Sequence, residues 1–133
     1  MASEDKLLIT GAAGLVGQNL VLMLREAGYR NIVAIDKQAS NLRLLSELNP
    51  GVHAVEADLA THGAWQDAFA GAQTVIVLHA QITGKTRDPF QRNNIDASRL
   101  VFEAAKAAHV PSTVHVSSSV VNSVADDHYT NTK

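Results

Sequence analysis

Short apolar runs alternate along this chain with longer segments in which apolar residues recur at helical spacing. The runs predict strands at 6–10, 31–35, 52–56, 73–79 and 113–117. The segments between them predict helices at 15–28, 40–48, 62–70 and 90–108, and a last helix that begins near Asp127. The large aromatic side chains on these helices are expected in the core: Trp65, Phe69, Phe90 and Phe102.

Strands that alternate with helices form parallel sheets, because each helix carries the chain back to the starting edge. Right-handed crossovers then favour an α/β, doubly wound sheet with the strand order 3-2-1-4-5, numbered along the chain. Ligands bind to such sheets beyond the carboxyl ends of the strands, where the chain order reverses between strands 1 and 4. Residues 1–133 are predicted to form one domain of this kind.

The turn after the first strand carries three glycines with the spacing G-x-x-G-x-x-G. Gly11 would permit a sharp turn, Gly14 the close approach of a pyrophosphate, and Gly17 the packing of the next helix on the sheet. Asp36 ends the second strand, where its carboxylate can accept hydrogen bonds from ribose hydroxyls. The pattern predicts a Rossmann-type dinucleotide site; a cluster of turn glycines beside a strand-end aspartate is the alternative.

A second polar group follows the fifth predicted strand. Ser119 ends a run of serines there, and Tyr129 and Lys133 form the motif Y-x-x-x-K. Residues four apart share one helix face, and an ammonium group beside a phenol favours the phenolate. Tyr129 would then exchange a proton with a substrate hydroxyl or carbonyl, and Ser119 would hydrogen-bond the same oxygen. An ordinary surface turn of helix is the alternative.

Together these motifs resemble the N-terminal part of an extended short-chain dehydrogenase/reductase, the NAD-dependent epimerase/dehydratase family. Residues 10–17 are similar to the family's T-G-x-x-G-x-x-G, and 116–119 to the end of its fifth strand. The pair at 58–59 resembles the Asp-Leu that approaches adenine. Residues 78–81, Leu-His-Ala-Gln, resemble the family's H-L-A-A, and 94–98 its helix motif N-V-x-G-T.

The resemblance implies a set of site residues. Catalysis would fall to Ser119, Tyr129 and Lys133, supported by Asn94, and Lys133 would also hold the nicotinamide ribose. His79 either touches the cofactor or is a strand-end histidine satisfied by the backbone. The implied cofactor contacts are Gly11, Ala13, Gly14, Leu15, Val16, Gly17, Asp36, Lys37, Asp58, Leu59, Leu78, His79, Ala80 and Lys133.

NAD is the expected cofactor rather than NADP, because Asp36 would repel a 2′-phosphate, although the adjacent Lys37 softens that preference. The implied activity is epimerisation, dehydration or dehydrogenation by hydride transfer on a sugar nucleotide or similar hydroxylated small molecule. A nucleotide-binding regulatory protein without turnover and a catalytically inactive fragment are the alternatives. The family's C-terminal substrate domain is absent from these residues, so a longer natural protein is expected. The alanine-rich helix at 90–108 and the resemblance imply a homodimer.

Composition narrows the choice of partners. The 133 residues carry a net charge of −2, so no basic excess favours nucleic acid or a membrane surface. The chain contains no cysteine, which excludes disulfide and thiolate chemistry within it. Its six histidines lack the spacing of metal ligands, so no metal site is expected. The N-terminal residues lack the apolar core of a secretion signal, and the cytoplasm is the expected compartment.

Overall fold

The structure, a computed structural model, describes residues 4–133 and alternates strands with helices from its start. The strands are β1 (Lys6–Thr10), β2 (Ile32–Asp36), β3 (His53–Glu56), β4 (Ala72–Val77) and β5 (Ser112–His115). The α-helices are α1 (Leu15–Glu26), α2 (Ala39–Leu48), α3 (Arg87–Phe90), α4 (Ala97–Ala107) and α5 (His128–Thr132). Two 3₁₀ helices span Ala64–Phe69 and Ser119–Asn122, and a π-helix spans Gln91–Asp96.

The five strands form one parallel sheet in the order β3-β2-β1-β4-β5. The predicted α/β fold and strand order are therefore confirmed. The central strand β1 pairs on both sides, and Leu8 lies opposite Val33 of β2 and Val75 of β4. The chain order reverses between β1 and β4, which places a crevice at their carboxyl ends.

Helices cover both faces of the sheet. Side chains of successive strand residues point to opposite faces, so each strand contributes apolar side chains to both. Leu8 packs on one face with Trp65, Phe69 and Val101. Its neighbour Ile9 packs on the other face with helices α1 and α2. Trp65 and Phe69 meet edge to face with their ring centroids 5.7 Å apart, as expected of core aromatics.

Phe102 is an exception among the aromatic residues expected in the core. Trp65, Phe69 and Phe90 are buried, but Phe102 is 39% exposed. It lies on the side of α4 that faces His115 of β5, at a ring distance of 5.7 Å. All four residues of β5 are exposed, so no further layer covers this side in the described residues. The expectation that Phe102 is a core anchor is wrong.

Three alanines of α4, the helix from which the sequence suggested a dimer, pack inside this chain, whereas Ala107 is exposed. Ala97, Ala104 and Ala105 are buried in the core beside the sheet and the first 3₁₀ helix. Their small side chains bring the helix close to the sheet rather than offering a surface to a second subunit. The homodimer stays a prediction.

Several element boundaries differ from the sequence prediction. The helix predicted at 62–70 is a shorter 3₁₀ helix at Ala64–Phe69, and Gln66 Oε1 accepts the Gly63 N–H at its start. The helix predicted at 90–108 begins at Arg87 and passes through the π-helix before α4. Strand β4 ends at Val77 instead of 79, so His79 lies beyond the strand end.

The serine run does not end a strand. β5 ends at His115, and Ser119 instead begins the 3₁₀ helix that follows. The predicted start of the last helix is confirmed, because Asp127 caps α5 and its Oδ1 accepts the Thr130 N–H at 2.7 Å. None of the helices in residues 4–133 has the length and apolar character needed to cross a bilayer.

The first helix lies against the sheet with no room for a side chain at Gly17. A Cβ there would lie 2.6 Å from the Ala12 carbonyl carbon, so the close contact is between backbones. Gly11 has φ +66°, and a Cβ there would lie 2.6 Å from the His79 nitrogen. Both glycines are therefore required by the packing of β1, α1 and β4 at one point.

Candidate functional site

A cavity of about 460 Å³ opens at the carboxyl ends of β1, β2 and β4. This is the crevice expected where the order of parallel strands reverses. Every residue that the sequence assigned to cofactor binding lines this cavity, apart from Lys133. The structure thus brings together residues from the first, second, third and fourth strand ends. Their shared position supports the site; their contacts with a cofactor stay a prediction.

The start of α1 forms one wall of the cavity. Gly14 is the N-cap of this helix, and no side chain caps it. The N–H groups of the first turn thus lack side-chain acceptors, and they carry the positive end of the helix dipole. A Cβ at Gly14 would lie 3.5 Å from the Gly11 oxygen, an ordinary contact, so the fold itself does not require glycine there. Its bare backbone leaves the helix end open to a phosphate.

Asp36 connects the glycine turn to the end of β2. Its Oδ2 accepts the Ala13 N–H at 3.0 Å, and its Oδ1 accepts the Gln38 N–H at 2.9 Å. Two backbone donors therefore fix the carboxylate at the edge of the cavity. Each carboxylate oxygen can accept a further hydrogen bond, so Asp36 remains able to receive hydroxyl donors.

Asp58 lies beyond the end of β3, where Ala60 and Arg92 hold its carboxylate. Its Oδ1 accepts the Ala60 N–H at 3.0 Å, and its Oδ2 forms an ion pair with Arg92 at 2.5 Å. Partial burial opposes ionisation, but the Arg92 hydrogen bond, the Ala60 N–H and the nearby positive charges outweigh it, so the pKa of Asp58 is lowered. The carboxylate stays ionised throughout the neutral range.

Asn94 ties the end of β4 to the last helix. Its Oδ1 accepts the Gln81 N–H at 2.6 Å, and its Nδ2 donates to the Gln81 carbonyl and to Thr132 Oγ1, each at 3.0 Å. Asn94 sits in the π-helix and is buried. The Asn94 side-chain amide therefore bonds both backbone polar groups of Gln81, as the backbone of a neighbouring strand would.

A second cavity, of about 540 Å³, lies between α4, β5 and α5. Asn94, Thr132 and Lys133 line it, together with His79 and His115. Burial lowers the pKa of Lys133, and burial followed by the charge of Lys133 lowers the pKa of His115.

The predicted catalytic residues are only partly brought together. Asn94 and Lys133 share the second cavity, but neither Ser119 nor Tyr129 lines either of these two cavities in the described residues. Ser119 is exposed at the start of its 3₁₀ helix, and Tyr129 is partly buried on α5. Their catalytic roles stay predictions.

Comparison with known proteins identifies the family. The model of the NAD dependent epimerase/dehydratase family matches residues 7–132. The chain belongs to this family. Its fold, with the parallel order 3-2-1-4-5, and its strand-end cavity agree with that membership.

Relatives in the family include both reductases and epimerases. The chain is 34% identical over 100 residues to a ceramide reductase of Caulobacter vibrioides, covering 75% of this chain and 31% of that protein. It is 31% identical over 135 residues to human UDP-glucose 4-epimerase, covering 88% of this chain and 38% of that protein.

A solved structure of UDP-glucuronic acid 4-epimerase from Bacillus cereus, in complex with NAD, is also similar. The TM-score is 0.79 at 25% identity, over 96% of this chain and 48% of that chain. The chain spans 31% and 38% of the two curated relatives.

His79 departs from the family motif H-L-A-A, in which its position holds leucine. Its Nδ1 lies 2.8 Å from Thr10 Oγ1, and its Nε2 lies 3.1 Å from Ser98 Oγ. The ring thus joins the end of β1 to α4 and lines both cavities. The partners of this histidine are two hydroxyl groups, so it is not the backbone-satisfied histidine that the sequence offered as one alternative. The other alternative, contact with a cofactor, stays a prediction.

Several residues of the first cavity were missed by the sequence reasoning. Asn93 and Gln81 lie within or beside the quoted motifs, but only adjacency to Asn94 and Ala80 pointed to them. Ala97 lies within the motif at 94–98 but was not singled out, and the remaining lining residues belong to no quoted motif: Gln38, Asn41, Ala57 and Ile82. In residues 4–133, no group of three or more His, Cys, Asp or Glu side chains is placed to hold a metal ion.

Acid is expected to destabilise the fold through His79. Burial, followed by the charges of Lys133, His115 and Lys37, lowers the pKa of His79 to about 4. The unfolded chain therefore takes up this proton first, near pH 6.5, and stability falls as the pH drops from there toward 4. The expected loss of unfolding free energy between pH 7 and pH 5 is about 2 kcal/mol, measured by urea denaturation.

The matched control for this prediction is His79→Gln, which keeps a donor and an acceptor but does not titrate. Its stability should change much less between pH 7 and pH 5, because the remaining acid-sensitive groups are common to both proteins. An equal pH dependence in the two proteins would contradict the assignment to His79.

Proposed function

We propose that this chain binds NAD in an extended conformation across the carboxyl ends of the strands and supplies the cofactor half of a hydride-transfer site. The observation that carries this proposal is the first cavity. It combines an uncapped helix N-terminus at Gly14 with a carboxylate fixed at Asp36. The two features provide, side by side, a phosphate site and a ribose site.

The lining of the cavity supports one direction for the nucleotide. The pyrophosphate would lie at the first turn of α1, and the adenosine ribose would donate its hydroxyls to Asp36. The adenine would lie toward Asp58 and Leu59. The nicotinamide end would then lie at 78–80, beyond β4, where His79 separates the first cavity from the second.

The residues present fit such a nucleotide, because no side chain caps the N-terminus of α1 at Gly14 and the phosphate position is left open. Bound NAD would accept a hydride from a carbinol carbon. Relatives solved with NAD, such as the Bacillus cereus epimerase, support NAD as the cofactor here. NAD is preferred over NADP in this proposal, because a 2′-phosphate would meet the Asp36 carboxylate.

Catalysis is assigned to α5 and the segment before it. Tyr129 would take the hydroxyl proton of the substrate, Lys133 would stabilise the phenolate and hold the nicotinamide ribose, and Ser119 would bind the same substrate oxygen. The Asn94–Thr132 hydrogen bond supports this assignment, because it anchors the helix that carries Tyr129 and Lys133 to the end of β4.

The substrate class rests on the relatives. Two of them act on UDP-sugars by their names, UDP-glucose 4-epimerase and UDP-glucuronic acid 4-epimerase. A sugar nucleotide is therefore the substrate we propose for the whole protein. The reductase relative supports a simpler oxidation or reduction of a hydroxylated molecule as the alternative.

A second candidate function is nucleotide binding without turnover. The position of Ser119 and Tyr129 outside both cavities favours it. A chain of this kind would respond to NAD through the strand ends alone.

Calorimetric titration tests the cofactor assignment. NAD should bind saturably to the 133-residue chain, and NADP more weakly. Asp36→Asn should weaken NAD binding about tenfold, since hydrogen bonds to a charged acceptor are lost. Asp67→Asn, a change at an exposed aspartate of the first 3₁₀ helix, is the control and should leave the affinity unchanged. Equal effects of the two substitutions, or no NAD binding, would contradict the proposal.

Turnover by the whole protein separates the two candidate functions; it is followed by NADH absorbance and by analysis of the sugar product, because epimerisation returns the hydride and leaves no net NADH. With UDP-glucose or UDP-glucuronate as substrate, Tyr129→Phe should lower turnover by about a hundredfold or more while NAD affinity stays the same. Tyr29→Phe, at a partly buried tyrosine beside α1, is the control. NAD binding without turnover in the whole protein would support the second candidate instead.

A further inference from the structure

Lys37 reaches across the mouth of the first cavity to the π-helix. Its Nζ donates to Asn93 Oδ1 at 2.9 Å, although the two residues are 56 positions apart in the sequence. Asn93 Nδ2 donates in turn to Gln81 Oε1 at 2.9 Å, and Gln81 Nε2 donates to the Thr83 carbonyl. Lys37, Asn93 and Gln81 all line the cavity. We call these three residues the polar strap.

The direction of the polar strap is fixed by its last member. A backbone carbonyl only accepts hydrogen bonds, so the Gln81 group beside Thr83 must be its NH₂. Gln81 Oε1 is then the acceptor for Asn93 Nδ2, which leaves Asn93 Oδ1 to receive Lys37. An ammonium only donates, so both ends of the polar strap require the same orientation of the two amides.

A second residue of the π-helix, Asn94, also keeps Gln81 in place. Asn94, next to Asn93, binds both the N–H and the carbonyl of Gln81. The backbone and side chain of Gln81 are therefore both held, and Asn93 meets Lys37 from a fixed position.

Lys37 is also the single lysine or arginine that lines this cavity in residues 4–133. It follows Asp36 directly, so its ammonium is the charge that would have to compensate that carboxylate if a 2′-phosphate were bound. Arg92, which belongs to the same π-helix, is already paired with Asp58. Both cations at this edge of the cavity thus have partners.

We propose that Asn93 determines the choice between the two nucleotides by holding the Lys37 ammonium away from the 2′-position of the adenosine ribose. This inference rests on the proposed function of the cavity. With Lys37 held at Asn93, a 2′-phosphate meets the Asp36 carboxylate without a cation, whereas a 2′-hydroxyl needs none. Asn93 is a positioning residue, because it acts through Lys37.

The test compares Kd values for NAD and NADP in four proteins: the unsubstituted chain, Asn93→Ala, Lys37→Ala and the double variant. Asn93→Ala should raise the affinity for NADP relative to that for NAD about fivefold, the value of one solvent-exposed charge pair. The double variant should lose that gain, because no ammonium remains to reach the phosphate. Added salt should reduce the gain in Asn93→Ala.

Asn122→Ala, at an exposed asparagine outside the cavity, is the matched control, and its NADP-to-NAD ratio should equal that of the unsubstituted chain. Gln81→Ala is the second route, since it frees Asn93 without changing it and should shift the ratio in the same direction. An unchanged ratio in Asn93→Ala, or a gain that persists in the double variant, would overturn the inference.

The same experiment separates an error in the proposed function from an error in the role of Asn93. If the unsubstituted chain binds neither nucleotide, the cavity assignment and this inference both fall. If NAD binds as proposed and the ratio does not respond to Asn93→Ala, the inference about Asn93 alone falls.

Discussion

The backbone contact between Gly17 and Ala12 sets the position of everything at the carboxyl end of the sheet. β1 is buried between two neighbouring strands, and the turn through which the chain leaves it has no space for a Cβ at Gly11. The same turn passes against the backbone of His79, beyond β4. Because backbone atoms cannot give way as side chains do, α1 has one possible position, and its N-terminus points into the cavity.

Hydrogen bonds from polar residues at the strand ends then fix the walls of that cavity. Asp36 holds the glycine turn through Ala13, His79 joins Thr10 to Ser98, and Asn94 clamps Gln81. Each of these side chains connects two elements that are distant in sequence. A site built in this way is positioned before any ligand arrives, which reduces the ordering cost of binding.

The sequence predicted the fold well because its main signals are local. Apolar runs located all five strands, and the glycine spacing with Asp36 located the cavity. The contacts of the π-helix were not predictable from helical periodicity, because Asn94 meets the backbone of Gln81 only after folding. The polar strap was missed for the same reason: Lys37 and Asn93 become neighbours only after folding. The exposure of Phe102 depended on what covers β5, which no local pattern reports.

The cavity is proposed to hold a dinucleotide across the strand ends, with the pyrophosphate at the first turn of α1. Backbone amide NMR spectra recorded during a titration with NAD test it most directly. A dinucleotide in this position should cause saturable shifts at residues 11–17, 36–37 and 78–81, while the amides of β5 stay unchanged. Shifts confined to the second cavity, around Phe102 and His115, or no saturable shift at the glycine turn, would contradict it.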